Sequence, residues 1–209
     1  MKTCFIFGAG THFPLHRRPL PGDFVIAADG GLLLCQAEGI VPDLLLGDFD
    51  SLPEVPEFPH ILRVPVEKDD TDTMLAAKTG LEQGCTSFVL YGCTGGKRLD
   101  HTLANLQLLL FLLGEGAHGL LYDDDFVYTA IQNETLTIPR SVDWGLLSAF
   151  CLTGTARGVT ETGVQYPLKN ATLTSDFPLG VSNHILAEEA QVTVADGTLL
   201  VGWELSPGK

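Results

Sequence analysis

The sequence predicts an α/β unit, with a mainly parallel sheet flanked by helices, over residues 1–128, followed by a smaller all-β sandwich over residues 129–209. Two observations predict this division. Before about Phe126, short apolar runs alternate with longer amphipathic segments, which is typical of parallel strands joined by helices. After that residue, short β-like runs follow one another between turn residues. A β unit of this size is only marginally stable alone, so we expect it to pack on the first unit or on a second chain.

The apolar runs of the first part have the composition of strands that are buried on both faces of a sheet. The predicted strands are residues 4–7, 24–28, 44–46, 61–66, 88–91 and 120–122. Helical periodicity predicts helices over residues 31–38, 71–83 and 99–113. On the third helix, Leu103, Leu106, Leu110 and Leu113 share one face.

Six further runs predict the strands of the second part. They are residues 136–138, 146–152, 164–168, 171–173, 191–194 and 198–203. The last two flank the sequence Ala195-Asp196-Gly197, which predicts a hairpin turn.

Composition excludes several classes of protein. A hydrophobic fraction of 45% with 18% charged residues is typical of a folded globular protein. No apolar run reaches membrane-spanning length and the N-terminus lacks a secretory pattern, so we expect a soluble, cytoplasmic protein. The five scattered cysteines predict buried free thiols rather than disulfides or a zinc site. A net charge of −14 disfavours binding to nucleic acid and to anionic membranes.

Acidic residues follow two of the predicted strands. Asp48 and Asp50 are two residues apart, so in an extended segment they project to the same side, with Cα atoms about 7 Å apart. Such a pair can hold Mg²⁺, which prefers oxygen ligands, although a solvated acidic loop remains an alternative for the pair alone. The second cluster, residues 68–73, opens the next helix, where Thr71 or Asp70 can cap and Asp72 suits the helix dipole. Two clusters at neighbouring strand ends favour a cation site.

A glycine-rich turn with basic residues lies between the strand ending at Tyr91 and the leucine-rich helix. Its residues 94–105 read TGGKRLDHTLAN. Gly95 and Gly96 can present backbone amides to phosphate oxygens, and Lys97 and Arg98 add positive charge. Asp29, within ADGG, follows another strand in the same way, whereas the GAG at residues 8–10 lacks the full dinucleotide pattern.

In this order, the motifs resemble the thiamin pyrophosphokinase family. The resemblance is carried by ADGG (28–31), LGDFDS (46–51), KDDTD (68–72), TGGKRLDHTLAN (94–105), and the segments GVTETGVQYPL and ATLTSDFPLGVSN within residues 158–183. It implies an α/β catalytic domain, a β-sandwich domain, and a homodimer that holds thiamin at the subunit interface. It also implies transfer of pyrophosphate from ATP to the thiamin hydroxyl, which gives thiamin diphosphate and AMP.

The resemblance further implies roles for individual residues. For Mg²⁺ these are Asp48, Asp50 and Asp72; for ATP they are Asp29, Gly95, Gly96, Lys97, Arg98, Asp100 and Asn105; and for thiamin they are Tyr166, Ser182 and Asn183. Asp100 or a metal-site acid would accept the proton of the attacking alcohol. An aromatic face suits the cationic thiazolium, and an asparagine can hydrogen-bond an aminopyrimidine. Packing of Tyr166 and a simple turn at Ser182-Asn183 remain alternatives.

Two other functions are weighed against this one. The run LLLGDFDSL is similar to the nucleophile strand of haloacid-dehalogenase-like phosphatases, although Leu52 stands where that family has Thr or Val. A non-catalytic protein that binds a small cation is the second alternative.

Overall fold

A computed structural model describes residues 2–49, 58–64 and 69–206. The chain divides into two compact units, the first ending at Asp124 and the second beginning at Asp125. The predicted boundary between residues 128 and 129 lies four residues further along the chain.

The first unit is a parallel sheet with three helices. Its strands are β1 (Thr3–Phe7), β2 (Phe24–Ala28), β3 (Leu44–Gly47), β4 (Ile61–Arg63), β5 (Ser87–Tyr91) and β6 (His118–Asp123), in the spatial order β6-β5-β1-β2-β3-β4. Each pairing among these described strands is parallel. The helices are α1 (Gly31–Ala37), α2 (Asp72–Glu82) and α3 (Leu99–Gly114). The prediction of an α/β unit is confirmed.

Strand β1 lies at the centre of this unit, and all five of its residues are buried. Because side chains alternate along a strand, Phe5 and Phe7 enter the apolar cluster on the side of α1, where Leu32 and Cys35 lie. Cys4 faces α2, whose Gly80 lies so close that an added Cβ would be 2.8 Å from the Cys4 sulfur. Burial on both faces explains why the strands read as unbroken apolar runs.

The buried face of α3 differs from the one formed by the predicted leucines. Leu103 is exposed, whereas Asn105, Leu108, Leu109 and Leu112 are buried. The helix carries leucines on nearly every side, so apolar spacing alone could not select the contact face. The buried polar Asn105 marks that face.

The second unit consists of two antiparallel sheets. In chain order, its strands are β7 (Phe126–Gln132), β8 (Thr135–Pro139), β9 (Leu146–Phe150), β10 (Thr155–Thr162), β11 (Ala171–Thr174), β12 (Gly180–His184), β13 (Glu189–Thr193) and β14 (Thr198–Glu204). One sheet has the order β12-β9-β14-β7 and the other the order β11-β10-β13-β8. β7 and β14 pair along their whole length, from Phe126 opposite Glu204 to Gln132 opposite Thr198. The predicted all-β unit is confirmed.

Two predictions for this unit are wrong. Residues 164–168 do not form a strand. Pro167 has no backbone N–H to donate, and the β pairing described for this segment is a single bridge from Val164 to Ile185. The predicted hairpin is absent, since β13 pairs with β8 and β10 whereas β14 pairs with β7 and β9. Gly197 instead carries the chain from one sheet to the other, and its N–H donates to Asn133 Oδ1 at 2.9 Å. Strands β7, β10 and β12 were not predicted.

The five cysteines are free and buried, as predicted. None of the described helices is both long and apolar enough to cross a membrane.

Candidate active site

A cavity of about 250 Å³ lies where several strands of the first unit end. Parallel strands bring their carboxyl ends to the same edge of a sheet, where ligands of such folds bind. The lining residues are 9–10, 28–29, 71–73, 92–98, 101–102 and 105. The cavity therefore combines the ADGG motif, the start of α2 and the glycine-rich turn before α3.

The turn after β1 packs backbone to backbone against the turn after β5. The N–H of Gly10 donates to the carbonyl of Gly92 at 2.6 Å, and Thr11 N–H donates to the Thr94 carbonyl at 2.9 Å. A Cβ on Gly10 would lie 2.4 Å from the Thr94 oxygen, so only glycine permits this approach. The GAG motif lacks the full dinucleotide-binding pattern, yet its residues Ala9 and Gly10 line the cavity. Two glycines directly after a buried strand were the available signal.

The glycine-rich turn has left-handed backbone at two successive positions, with φ of 67° at Gly95 and 72° at Gly96. The N–H of Gly96 donates to Thr11 Oγ1 at 2.9 Å. Lys97 and Arg98 follow with exposed side chains. The structure brings all four predicted residues of this turn to the cavity wall.

Asp100 lies in the first turn of α3, beside Arg98. It does not line the cavity, and its carboxylate accepts from the Arg98 guanidinium at 2.6 Å. The hydrogen bond from Arg98 lowers the pKa of Asp100 to about 2. The Asp100 carboxylate is therefore held ionised beside Arg98.

Asn105, on α3, links α2 to the turn after β5. Its Oδ1 accepts from Thr73 Oγ1 at 2.6 Å, and its Nδ2 donates to the carbonyl of Cys93 at 2.8 Å. Thr71 caps α2 by accepting from the Met74 N–H, while Asp70 pairs with Lys78. Of the two residues predicted to cap α2, Thr71 is therefore the N-cap. Because Asn105 is buried and bonded on both ends of its amide, it holds the cavity wall in place.

Among the described residues, two carboxylates line the cavity. Asp72 is the first residue of α2, and Asp29 follows β2 with a left-handed φ of 50°. Asp48 is half-buried after β3 and does not line the cavity, and Asp50 lies outside the described residues. Within residues 2–49, 58–64 and 69–206, no group of three or more His, Cys, Asp or Glu side chains is arranged to hold a metal ion. Asp29 and Asp72 nonetheless fit Mg²⁺, which usually takes one or two carboxylates and completes its shell with water and phosphate.

In the second unit, the three residues predicted for thiamin lie close together. The Tyr166 ring is 64% exposed, and Asn183 is buried. Asn183 Oδ1 accepts from the N–H groups of Tyr166 and His184, each at 3.0 Å. Its Nδ2 donates to the Tyr166 carbonyl and to Glu161 Oε2, each at 2.9 Å. All four hydrogen-bonding positions of the amide are thus used within the protein, and a hydrogen bond from Asn183 to thiamin stays a prediction.

Ser182 is exposed and has a left-handed φ of 60°. Its N–H donates to Ser148 Oγ at 3.1 Å, which fixes the backbone but leaves the hydroxyl to solvent or a ligand. His184, the next residue but one, pairs through Nδ1 with the Trp144 carbonyl at 2.7 Å. Tyr166 and Ser182 therefore remain the exposed members of the predicted set.

Glu161 was missed by sequence reasoning. It is fully buried on β10, and burial raises the pKa of its carboxyl. The only signal in the sequence was spacing. Glu161 is two residues after Val159, so in a strand both side chains point to the same, inward-facing side of the sheet.

Comparisons with known proteins agree with this division of the chain. A family model described as the thiamin pyrophosphokinase catalytic domain matches residues 21–118. A second model, described as the thiamin pyrophosphokinase vitamin B1 binding domain, matches residues 133–199. Together the two models cover more than half of the chain.

Individual proteins are similar over nearly the same extent. The chain is 29% identical to the thiamine pyrophosphokinase of Bacillus subtilis over 182 residues, which are 84% of this chain and 85% of that protein. The crystal structure of the Bacillus subtilis thiamine pyrophosphokinase matches with a TM-score of 0.87 and 26% identity, covering 98% of this chain and 100% of that chain. That of the thiamin pyrophosphokinase from Geobacillus thermodenitrificans matches with a TM-score of 0.83 and 26% identity, covering 98% of each chain.

The two glycines of the turn provide a matched pair of substitutions. A Cβ on Gly95 would lie 2.2 Å from Thr11 Oγ1, whereas a Cβ on Gly96 would meet nothing within 4 Å. Both substitutions to alanine carry about 1–2 kcal/mol of left-handed strain. We expect Gly95→Ala to lower the free energy of unfolding by about 1–3 kcal/mol more, because it also overpacks the contact with Thr11. Urea denaturation of both variants measures the difference, and equal losses would contradict the close contact.

Burial of Glu161 predicts a pH dependence of stability. Below the unfolded pKa of about 4.3, the carboxyl is protonated in both states. As pH rises, the unfolded chain ionises first, because the folded-state pKa is raised, so stability falls until the folded pKa is passed. As the pH rises above about 4, the wild-type melting temperature should therefore decline relative to that of Glu161→Gln. Melting temperatures of the two proteins that change in parallel with pH would show that burial does not perturb the pKa of Glu161.

Proposed function

The chain belongs to the thiamin pyrophosphokinase family and transfers pyrophosphate from ATP to the hydroxyl of thiamin, and we propose that the cavity of its first unit binds ATP with Mg²⁺ while Tyr166 and Ser182 of its second unit bind thiamin. The products of the transfer are thiamin diphosphate and AMP.

One observation carries the assignment of ATP to the cavity: amides, cations and carboxylates converge there. The Gly95 amide and the side chains of Lys97 and Arg98 favour phosphate oxygens, in a protein whose net charge is −14, whereas the Gly96 amide already donates to Thr11 Oγ1. Asp29 and Asp72 on the same wall would repel phosphate unless a cation lies between them. The combination suits a phosphate chain that arrives with a divalent cation.

Asp72 and Asp29 are the described residues that would hold Mg²⁺, and Asp48 and Asp50 remain predicted ligands. When bound, the ion supplies neutralisation of the charge on the phosphates. The protein residues supply the remainder, which is mainly positioning, as is general for phosphoryl-group transfer. Asn105 and Thr73 fix the start of α2 against the turn after β5, and so set the separation between the carboxylates and the amides.

Arg98 has two roles in this proposal. Its guanidinium pairs with Asp100, and both side chains are exposed. Because Arg98 also lines the cavity, bound phosphate oxygens would compete with Asp100 for the guanidinium. Asp100 then holds Arg98 near the phosphates rather than accepting the proton of the alcohol, and Asp72 remains among the acids predicted for that role.

In the second unit, the exposed Tyr166 ring offers its face to the cationic thiazolium of thiamin. Ser182 offers a hydroxyl from a backbone that Ser148 anchors. Asn183 contributes indirectly, since its amide holds the backbone of Tyr166.

The direct test is incubation of the protein with thiamin, ATP and MgCl₂, with products separated by chromatography. We expect AMP and thiamin diphosphate in equal amounts. Asp72→Asn should reduce kcat by about a hundredfold or more, on the scale of lost electrostatic stabilisation, with an unchanged melting temperature. Asp69→Asn, a change at an exposed acid outside the cavity, is the matched control.

Other products would identify the alternatives. ADP would indicate single-phosphoryl transfer, phosphate release without ATP would indicate a phosphatase, and thiamin binding with no product would indicate a binding protein. Near-normal turnover of Asp72→Asn would remove this residue from the metal site.

We also propose that the protein works as a cytoplasmic homodimer with thiamin at the subunit interface. Exposed apolar side chains at and just before the edge strand β12, Phe177, Leu179 and Val181, support such an interface. Light scattering after size-exclusion chromatography should give twice the mass of the chain. Leu179→Asp should shift the protein towards monomer, whereas Leu20→Asp, at an exposed leucine of the first unit, should not. A monomeric wild type would overturn the dimer.

A further inference from the structure

Glu161 is an acid in the apolar core of the second unit. It is fully buried and lies on β10 between the two sheets, where Val159 and Ala156 face the same interior. Its Oε2 accepts from Asn183, and its Oε1 has no hydrogen-bond partner in the described part of the chain. Burying a carboxyl with one oxygen unsatisfied costs stability, and an apolar side chain would cost less. Core packing therefore does not account for a glutamate here.

The contact with Glu161 helps to set the orientation of the Asn183 amide. Glu161 Oε2 is the acceptor in this contact, a role that a carboxyl oxygen fills whether or not Oε1 carries a proton, so Nδ2 faces Glu161. Oδ1 then faces the N–H groups of Tyr166 and His184, and the second Nδ2 hydrogen faces the Tyr166 carbonyl. A flipped amide would place an oxygen against two acceptors and an NH₂ group against two donors.

Tyr166 in turn depends on Asn183. The segment 163–170 between β10 and β11 is not a strand, and Pro167 after Tyr166 has no N–H to donate. Both backbone groups of Tyr166 are bonded to the one asparagine side chain. The exposed ring is therefore held in place through its backbone, by a buried amide for which Glu161 is the side-chain partner among the contacts described.

We infer that Glu161 is a positioning residue for thiamin binding, acting through Asn183 on Tyr166. The inference rests on the proposed role of Tyr166 in thiamin binding. Glu161 touches neither substrate, and its effect is confined to where the Tyr166 ring lies before thiamin arrives.

The test compares Glu161→Leu, which keeps the volume and removes the acceptor, with Glu161→Gln, whose amide oxygen still accepts from Asn183. Glu161→Leu should raise the KM for thiamin by about tenfold, with kcat and the KM for ATP nearly unchanged, because one charge-assisted hydrogen bond is lost. Glu161→Gln should restore the thiamin KM to within about threefold of wild type. Glu189→Leu, the same change at an exposed glutamate of the neighbouring strand β13, is the control and should leave all three constants unchanged.

Two further results separate the inference from the proposed function. If Tyr166→Ala raises the thiamin KM and Glu161→Leu does not, the positioning role is wrong while the thiamin site stands. If Tyr166→Ala leaves the thiamin KM unchanged, the proposed thiamin site is wrong. A fall in kcat together with a raised KM for both thiamin and ATP in Glu161→Leu would mean a general structural role and would also overturn the inference.

A measurement without thiamin guards against poor folding of the leucine variant. The Tyr166 backbone N–H donates to Asn183, so it should exchange slowly with deuterium in wild type and in Glu161→Gln. Fast exchange of this amide in folded wild-type protein would overturn the inference, because the clamp on Tyr166 would then not be formed.

Discussion

The first unit depends on a close approach of two backbones, the turn after β1 and the turn after β5. The carbonyl of Gly92 lies 2.6 Å from the Gly10 nitrogen, and it would lie just as close to a Cβ on Gly8. No side chain fits between these turns, so the ends of β1 and β5 lie close together, and the loops beyond them surround one cavity. The glycine-rich turn, Asp29 and the start of α2 take their positions around that contact. The wall of the cavity in this unit is thus built on the absence of side chains.

In the second unit, the corresponding contact is made by buried polar side chains rather than by backbone alone. Glu161 and Asn183 lie among aliphatic side chains and join the two sheets through one hydrogen bond. The arrangement lowers stability at neutral pH and confers a single orientation on one exposed loop. Such an exchange of stability for a defined geometry is typical of residues that support a binding site rather than a core.

The first unit could be predicted from its sequence in most respects, because strands buried on both faces read as apolar runs and the helices between them as periodic ones. Its cavity was predicted in outline, since Gly95, Gly96, Arg98 and Asp72 follow strand ends. The pairing of Asp100 with Arg98 could not be predicted, because it depends on side-chain positions rather than spacing. In the second unit, strands β10 and β12 carry the buried Glu161 and Asn183, which interrupt the alternation that reveals a half-buried strand. The two residues that prevented the prediction of these strands, Glu161 and Asn183, are also the ones that position Tyr166.

The pairing of β7 with β14 has a consequence for how the second unit comes into being. These are the first and last strands of the unit, and they pair from end to end. No shorter stretch of the second unit contains both partners of this ladder, so the ladder closes only when the final strand has left the ribosome. Closing so long a loop is slow compared with forming local contacts. The first unit has all its strands by His118–Asp123, so its chain is available to fold while the remainder is still being synthesised.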